Sequence, residues 1–167
     1  IKVIITAMNI PVLQADGFEA DDVIGTLATK AGAAGIETYM LTPDKDYGQL
    51  VRDNVFIFRP RHGGGYEKMG PKEVCEKYEL HSPTQVIDLL ALMGDSADNF
   101  PGCPGVGPKT ATKLIAEFGS IDSILENSAK IKGKLREKVE GAVDDIRMSK
   151  FLATIRTDVP ISLDMDQ

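Results

Sequence analysis

The chain has no run of eighteen apolar residues and no signal-like basic and apolar leader. Those absences argue against a spanning helix and a secretory signal, and predict a soluble, cytoplasmic protein. It has only two cysteines, Cys75 and Cys103, in no CxxC pair and at no zinc-ligand spacing. Both are expected to be free thiols in a reducing compartment. No GxxxxGK[ST] string occurs, so a Walker-type phosphate loop is excluded. The two histidines, His62 and His81, are isolated, and no Ser-His-Asp pattern is evident. Positive charge is in deficit: 19 Lys and Arg stand against 25 Asp and Glu, a net charge of −6. A simple electrostatic DNA-binding protein is therefore not expected.

The deficit is uneven. Residues 1–100 carry 9 basic and 15 acidic side chains, whereas 101–138 carry 7 and 4. An acidic half thus precedes a locally basic segment. Divalent cations can invert the charge of an acidic cluster and let it work on nucleic acid. With 167 residues and 43% apolar content, the chain is long enough for one domain or two small lobes around a real core.

Periodicity predicts a helix remnant at 1–8, a break at Asn9-Ile10-Pro11 and a short strand at 12–15. It predicts a helix over 19–34 closed by Gly35, a strand at 36–41, a helical turn at 47–51 and a strand at 55–58. This alternation reads as a parallel α/β unit, whose sites lie beyond the carboxyl ends of the strands. Residues 59–65 read as a loop. From Gly70 only helices are expected, at 71–78, 82–93, 108–118, 120–126 and, as one or two, 134–155. Ser82 and Pro83 mark one start and Pro108 another.

Seven carboxylates stand at element starts or in loops: Glu19, Asp21 and Asp22; Asp44 and Asp46; Asp95 and Asp98. Magnesium takes hard oxygen ligands, and two ions held by converging carboxylates can activate water and stabilise a leaving phosphate oxygen. Each group also has a structural reading. Acids in a first helical turn favour the dipole, Asp-Lys-Asp is a common solvated turn, and Asp95 and Asp98 can serve as caps. What favours metal chemistry is the coincidence of three clusters, one abutting a glycine turn.

That turn is Gly105-Val106-Gly107, followed by a helix start whose unpaired N–H groups can hold a phosphate oxygen. Lys109 and Lys113 are i,i+4 neighbours, and Thr110 and Thr112 offer hydroxyls. Nothing here reads bases, so contact should be independent of sequence. The plain alternative is an interhelical turn with solvated lysines. The longer run Pro101-Gly-Cys-Pro-Gly-Val-Gly-Pro-Lys-Thr-Ala111 is more specific and resembles the helix-hairpin-helix DNA-binding motif.

Three strings in this order, GFEADDVIGTLA at 17–28, TPDKDYGQLV at 42–51 and the run 94–114, resemble the 5′-nuclease domain of bacterial DNA polymerase I and its flap-endonuclease relatives. The resemblance covers nearly the whole chain. It implies an α/β fold: a partial parallel-sheet nuclease core at 1–66, then an all-helical, SAM-like helix-three-turn-helix lobe at 67–156. The helix-hairpin-helix falls at 101–118, and 157–167 is a tail or linker. It implies 5′→3′ exonuclease and flap-endonuclease activity in DNA replication and repair, on duplexes bearing a 5′ flap or nick.

Motif by motif, the metal ligands fall on Glu19, Asp21, Asp22, Asp44, Asp46, Asp95 and Asp98, for two Mg²⁺ or Mn²⁺ ions. The same resemblance implies that Asp22, Asp44 and Asp46 are the catalytic carboxylates. DNA binding falls on Gly105, Val106, Gly107, Lys109, Thr110 and Lys113, where family members also hold a monovalent cation such as K⁺. A polymerase domain in the same full-length chain is a further implication.

Two departures are visible. Thr42-Pro43 stands where glycine often precedes Asp44. The family's first strand with its Asp, and its basic helical arch, are not in these residues, and the chain begins with Ile1. A missing N-terminal part, and a chain inactive or nearly so by itself, are the resulting expectations. The alternative function is a non-catalytic, sequence-independent duplex-binding module. A phosphatase or transferase using Asp44-Lys45-Asp46 would leave the 101–113 run without a purpose.

Overall fold

A computed structural model of the chain describes residues 1–61 and 63–163; His62 and the end of the tail at 164–167 lie outside the described residues. After a short helix α1 (Lys2–Ala7), residues 11–15 run without regular structure. The strand expected at 12–15 does not form. Pro11 precedes it, and no sheet strand pairs with it; its Gln14 side chain instead accepts a hydrogen bond from Lys2.

Helix α2 (Ala20–Ala33) follows Glu19 at the N-cap position and ends where Gly35 takes φ +78°. Strands β1 (Thr38–Leu41) and β2 (Val55–Pro60) pair in parallel, Met40 opposite Ile57. Between them, Asp46–Leu50 forms a 3₁₀ turn, close to the expected helical turn. A third strand, β3 (Tyr66–Met69), was not expected. It pairs antiparallel with β2, so the small sheet is mixed, in the order β1-β2-β3. Gly63, Gly64 and Gly65 all take positive φ and reverse the chain between β2 and β3.

The helical half follows the expected pattern. It comprises α3 (Pro71–Tyr78), α4 (Val86–Met93), α5 (Pro108–Phe118), α6 (Ile121–Glu126), α7 (Lys134–Gly141) and α8 (Val143–Ala153). Ser82 and Gln85 form a capping box on the 3₁₀ turn Pro83–Gln85 that leads into α4. Helix α4 is the hub. Val86, Leu89, Leu90, Ala91 and Leu92 are all buried, and the helix packs on α8, on α5 and on the 3₁₀ turn of the α/β half. One hydrophobic core, from Met40 and Val55 to Ile124 and Ile146, therefore runs through both halves. Cys75 and Cys103 are both free thiols. Among the described residues no helix is long and apolar enough to cross a membrane.

Candidate metal and nucleic-acid site

Three segments converge on an acidic cavity of about 180 Å³, lined by Glu19, Asp21, Asp22, Asp46 and Asp98 and walled by Phe100 and residues 152–155. The first segment is the start of α2. Glu19 is its N-cap in extended backbone, and its carboxylate makes no capping bond. The Asp21 carboxylate accepts the Tyr47 hydroxyl at 2.7 Å, and Asp22 accepts the Arg156 amide at 2.9 Å. Both acids are thereby fixed from outside their own helix.

The second segment leaves β1. Asp44 Oδ1 accepts the Asp46 amide at 3.0 Å, an Asx turn that starts the 3₁₀ helix. Gln49, 8% exposed, then clamps this turn to the end of α8. Its amide nitrogen donates to the carbonyls of Asp46 and Ala153, each at 2.9 Å, and its oxygen accepts the Ile155 amide at 2.9 Å.

The third segment is the loop after α4. Asp95 and Phe100 exchange backbone hydrogen bonds at 3.0 Å, closing a tight loop with Asp98 exposed on it. Asp95 accepts the Ala97 amide and pairs with the Lys45 ammonium. Beyond it, Gly102 sits at φ +63°, where a Cβ would fall 2.6 Å from the Gly94 Cα, so only glycine fits. The Gly102 amide donates to Ser149 Oγ at 2.8 Å, and the Cys103 amide to the Leu92 carbonyl at 2.8 Å.

The seven carboxylates singled out in the sequence thus divide. Five line the cavity. Asp44 and Asp95 stand beside it, one setting the Asp46 turn and the other held by Lys45. Among the described residues, no three His, Cys, Asp or Glu side chains already form a group that could hold a metal ion. Carboxylates facing one another without a counter-charge repel, and bonds to Tyr47 and Arg156 hold Asp21 and Asp22 toward other partners.

The electrostatics record the same crowding. Burial, with the neighbouring Asp44 next, pushes the Asp46 carboxyl up to about 6; Asp98 and Asp95 add to this and Lys45 opposes it. Asp46 Oδ1 is the one buried side-chain polar atom among the described residues without a hydrogen-bond partner. The hydrogen bond to Lys45 holds Asp95 below the usual carboxylate range and raises Lys45. Burial and the bond to Asp21 lift the Tyr47 phenol well above its ordinary value. An unpartnered carboxylate oxygen on a residue that shares its cavity with four further acids suits a hard cation.

The hairpin leads into α5, which packs against α4. Gly105 takes φ +75°, Val106 is buried with its amide donating to the Cys103 carbonyl, and Gly107 caps α5 in extended backbone. Lys109 and Lys113 are exposed, and Thr110 is half-buried. Thr112 is not free for a ligand. It is 9% exposed and its hydroxyl donates to the Lys109 carbonyl.

Several residues of the arrangement escaped the sequence reading. Lys138 on α7 brings its ammonium 3.4 Å from the Gly105 carbonyl. Tyr47, Gln49, Ser149 and Arg156 position acids or their loops. Gln49, a polar residue just before the apolar pair Leu50-Val51, carried a faint signal; the others reach across the chain and carried none.

Residues 81–167 match the family model described as the 5′-3′ exonuclease C-terminal SAM fold, and residues 1–79 that of its N-terminal resolvase-like domain. The chain is 45% identical over 165 residues to DNA polymerase I of Bacillus subtilis, covering 98% of this chain and 19% of that protein. It is 43% identical over 161 residues to DNA polymerase I of Rhizobium leguminosarum, covering 96% and 16%. The chain thus spans less than a fifth of the length of these relatives. Among solved structures, it superposes on the phage T5 flap endonuclease in a pseudo-enzyme–product complex with DNA and metal ions. The TM-score is 0.80 at 22% identity, covering 93% of this chain and 56% of that one. A mutant T5 5′-exonuclease gives 0.78 at 24% identity, covering 90% and 61%. At these identities the likeness is one of fold.

Proposed function

Because the chain belongs to the 5′-3′ exonuclease family, we propose that it carries a divalent-metal site for hydrolysing DNA phosphodiesters at a 5′ end or 5′ flap, with a separate grip on the adjoining duplex. The observation that carries this reading is the unpartnered, buried Oδ1 of Asp46, a residue that lines the cavity together with four other acids. Glu19, Asp21, Asp22, Asp46 and Asp98 would hold the cations, Mg²⁺ or Mn²⁺. When bound, such ions supply an acidified water and neutralise charge on the leaving oxygen.

The chain's own residues do the rest. Asp44 sets the turn that aims Asp46, Asp95 holds Lys45 beside the cavity, and Phe100 with residues 152–155 limits water on one side. Gly105, Val106, Gly107, Lys109, Thr110 and Lys113 hold the phosphates of the duplex without reading sequence. A monovalent cation such as K⁺ would be held by backbone carbonyls of the hairpin turn, where it would compete with the Lys138 ammonium near the Gly105 carbonyl. In this reading 1–66 is the nuclease layer, 67–156 the duplex-gripping lobe and 157–167 a tail, and a polymerase domain belongs to the same full-length protein. The substrate is a duplex with a 5′ flap or nick.

A second reading, a duplex-binding module that does not cleave, is favoured by one observation: among the described residues no ready-made three-ligand cluster stands in the cavity. Calorimetric titration with Mg²⁺ and Mn²⁺, run beside cleavage of a 5′-flap duplex, separates the two. The nuclease reading expects metal binding that Asp46→Asn and Asp98→Asn weaken, and metal-dependent cleavage lost in the same variants. Duplex binding with neither metal binding nor cleavage supports the second reading instead.

A further inference from the structure

A second cavity, of about 290 Å³, opens between the end of α3, α4 and the first turn of α5, and shares no lining residue with the acidic cavity. Its floor is apolar. Leu89, Leu90 and Met93 supply one stripe of α4, at i, i+1 and i+4, and the half-buried Tyr78 adds a ring. Its rim is cationic. Lys45, Lys77 and Lys109 stand around it against a single acid, Glu79, in a chain whose net charge is −6. Lys77 also lies 4.9 Å from the Tyr78 ring centre, so ring and ammonium face one another.

An apolar floor under a ring of lysines complements a ligand with a flat apolar body and an attached anion. The volume is at the lower end for small-molecule sites, which suits one nucleotide and is too small for a helix. The rim residues also connect the two functional regions. Lys45 pairs with Asp95 beside the acidic cavity, and Lys109 belongs to the first turn of the hairpin helix.

We propose that this cleft holds one unpaired nucleotide of a DNA strand, its base against Tyr78 and Met93 and its phosphate on Lys77 and Lys109. The inference rests on the DNA-binding reading above and adds a subsite between its grip and its metal cavity. Bases stacked on aromatic and apolar surface are tolerant of sequence, so the subsite would register an unpaired position and not its identity.

The test is made in EDTA, without cleavage. Binding of a five-nucleotide single strand carrying one 2-aminopurine is followed by fluorescence, and binding of a blunt duplex is measured in parallel. The expected results are a change in 2-aminopurine emission and binding weaker by about tenfold when that base is replaced by an abasic residue. Lys77→Glu, a surface change, should weaken the single strand similarly and leave the duplex unaffected; Met93→Trp, which fills the cleft, should do the same. An abasic strand that binds as well as the parent, or Lys77→Glu with unchanged affinity, overturns the proposal. So does displacement by a poly-glutamate peptide as effective as displacement by unlabelled strand, since any polyanion would then serve. Loss of duplex binding alone counts against the hairpin grip and not against the cleft.

Discussion

Ser149→Ala tests how the loop bearing Asp95 and Asp98 is held. Ser149 is fully buried on α8, and its Oγ accepts the Gly102 amide at 2.8 Å. Gly102 is fixed at φ +63° with its α-carbon packed against Gly94, so its amide cannot turn toward another acceptor. Removing the hydroxyl strands a buried N–H, which costs about 1–3 kcal/mol. In a chain of this length each kcal/mol lowers Tm by about 2–4 °C, so a fall of roughly 2–12 °C is expected. Urea unfolding gives the free energy, and hydrogen exchange of the Gly102 amide reports the loop itself. Metal affinity should fall in parallel, because Asp98 sits on the freed segment. A loss below about 0.5 kcal/mol, the range of neutral surface changes, with Gly102 protection intact, would refute this account of the loop.

Gln49→Ala removes three hydrogen bonds, one buried and two part-buried, that tie the Asp46 turn to the end of α8, and should cost about 2–4 kcal/mol by urea unfolding. Asp46 has a folded value of about 6 against 3.8 for a free carboxyl, so between those limits the metal-free folded chain holds a proton the unfolded chain has released. Asp44, Asp95 and Asp98 repel its charge, Lys45 attracts it, and Glu19, Asp21 and Asp22 line the same cavity. Stability in EDTA should therefore decline as pH rises from about 4 through 6, by about 1–2 kcal/mol after allowing for solvent screening, and Asp46→Asn should flatten that decline. Lys109→Ala with Lys113→Ala should weaken duplex binding uniformly across sequences and lower the slope of log K against log salt by about 2.

Helices α3 and α5 were legible to the residue, because Pro71 and Pro108 open them and Glu79 and Gly119 close them in left-handed backbone. Strand signals were less faithful. Val12-Leu13 has strand-like composition but lacks a neighbour to pair with, whereas Tyr66-Glu67-Lys68-Met69 is short and depends on its pairing with β2. Composition alone cannot supply or remove a pairing partner. The carboxylates were visible because their chemistry is local to three short strings. Which of them face one cavity was not, since that depends on the Arg156–Asp22 and Gln49–Ile155 contacts, which join residues more than a hundred positions apart. Asp44 was the clearest case: its spacing reads as a ligand, and the fold adds a contact its spacing does not announce, Oδ1 accepting the Asp46 amide.

Helix α4 touches the Asp46 turn, α5 and α8 at once, and its buried side chains belong to a core shared by both halves. The family-model segments meet at residues 79–81, yet Leu80 is only 7% exposed within that common core. The seam in the sequence is therefore not a hinge in space. Acidic cavity and hairpin are geared through a single apolar axle, so the interval between them cannot be retuned by lengthening a linker. Altering it would require repacking α4, and a chain severed at that seam would leave each piece with half an interior.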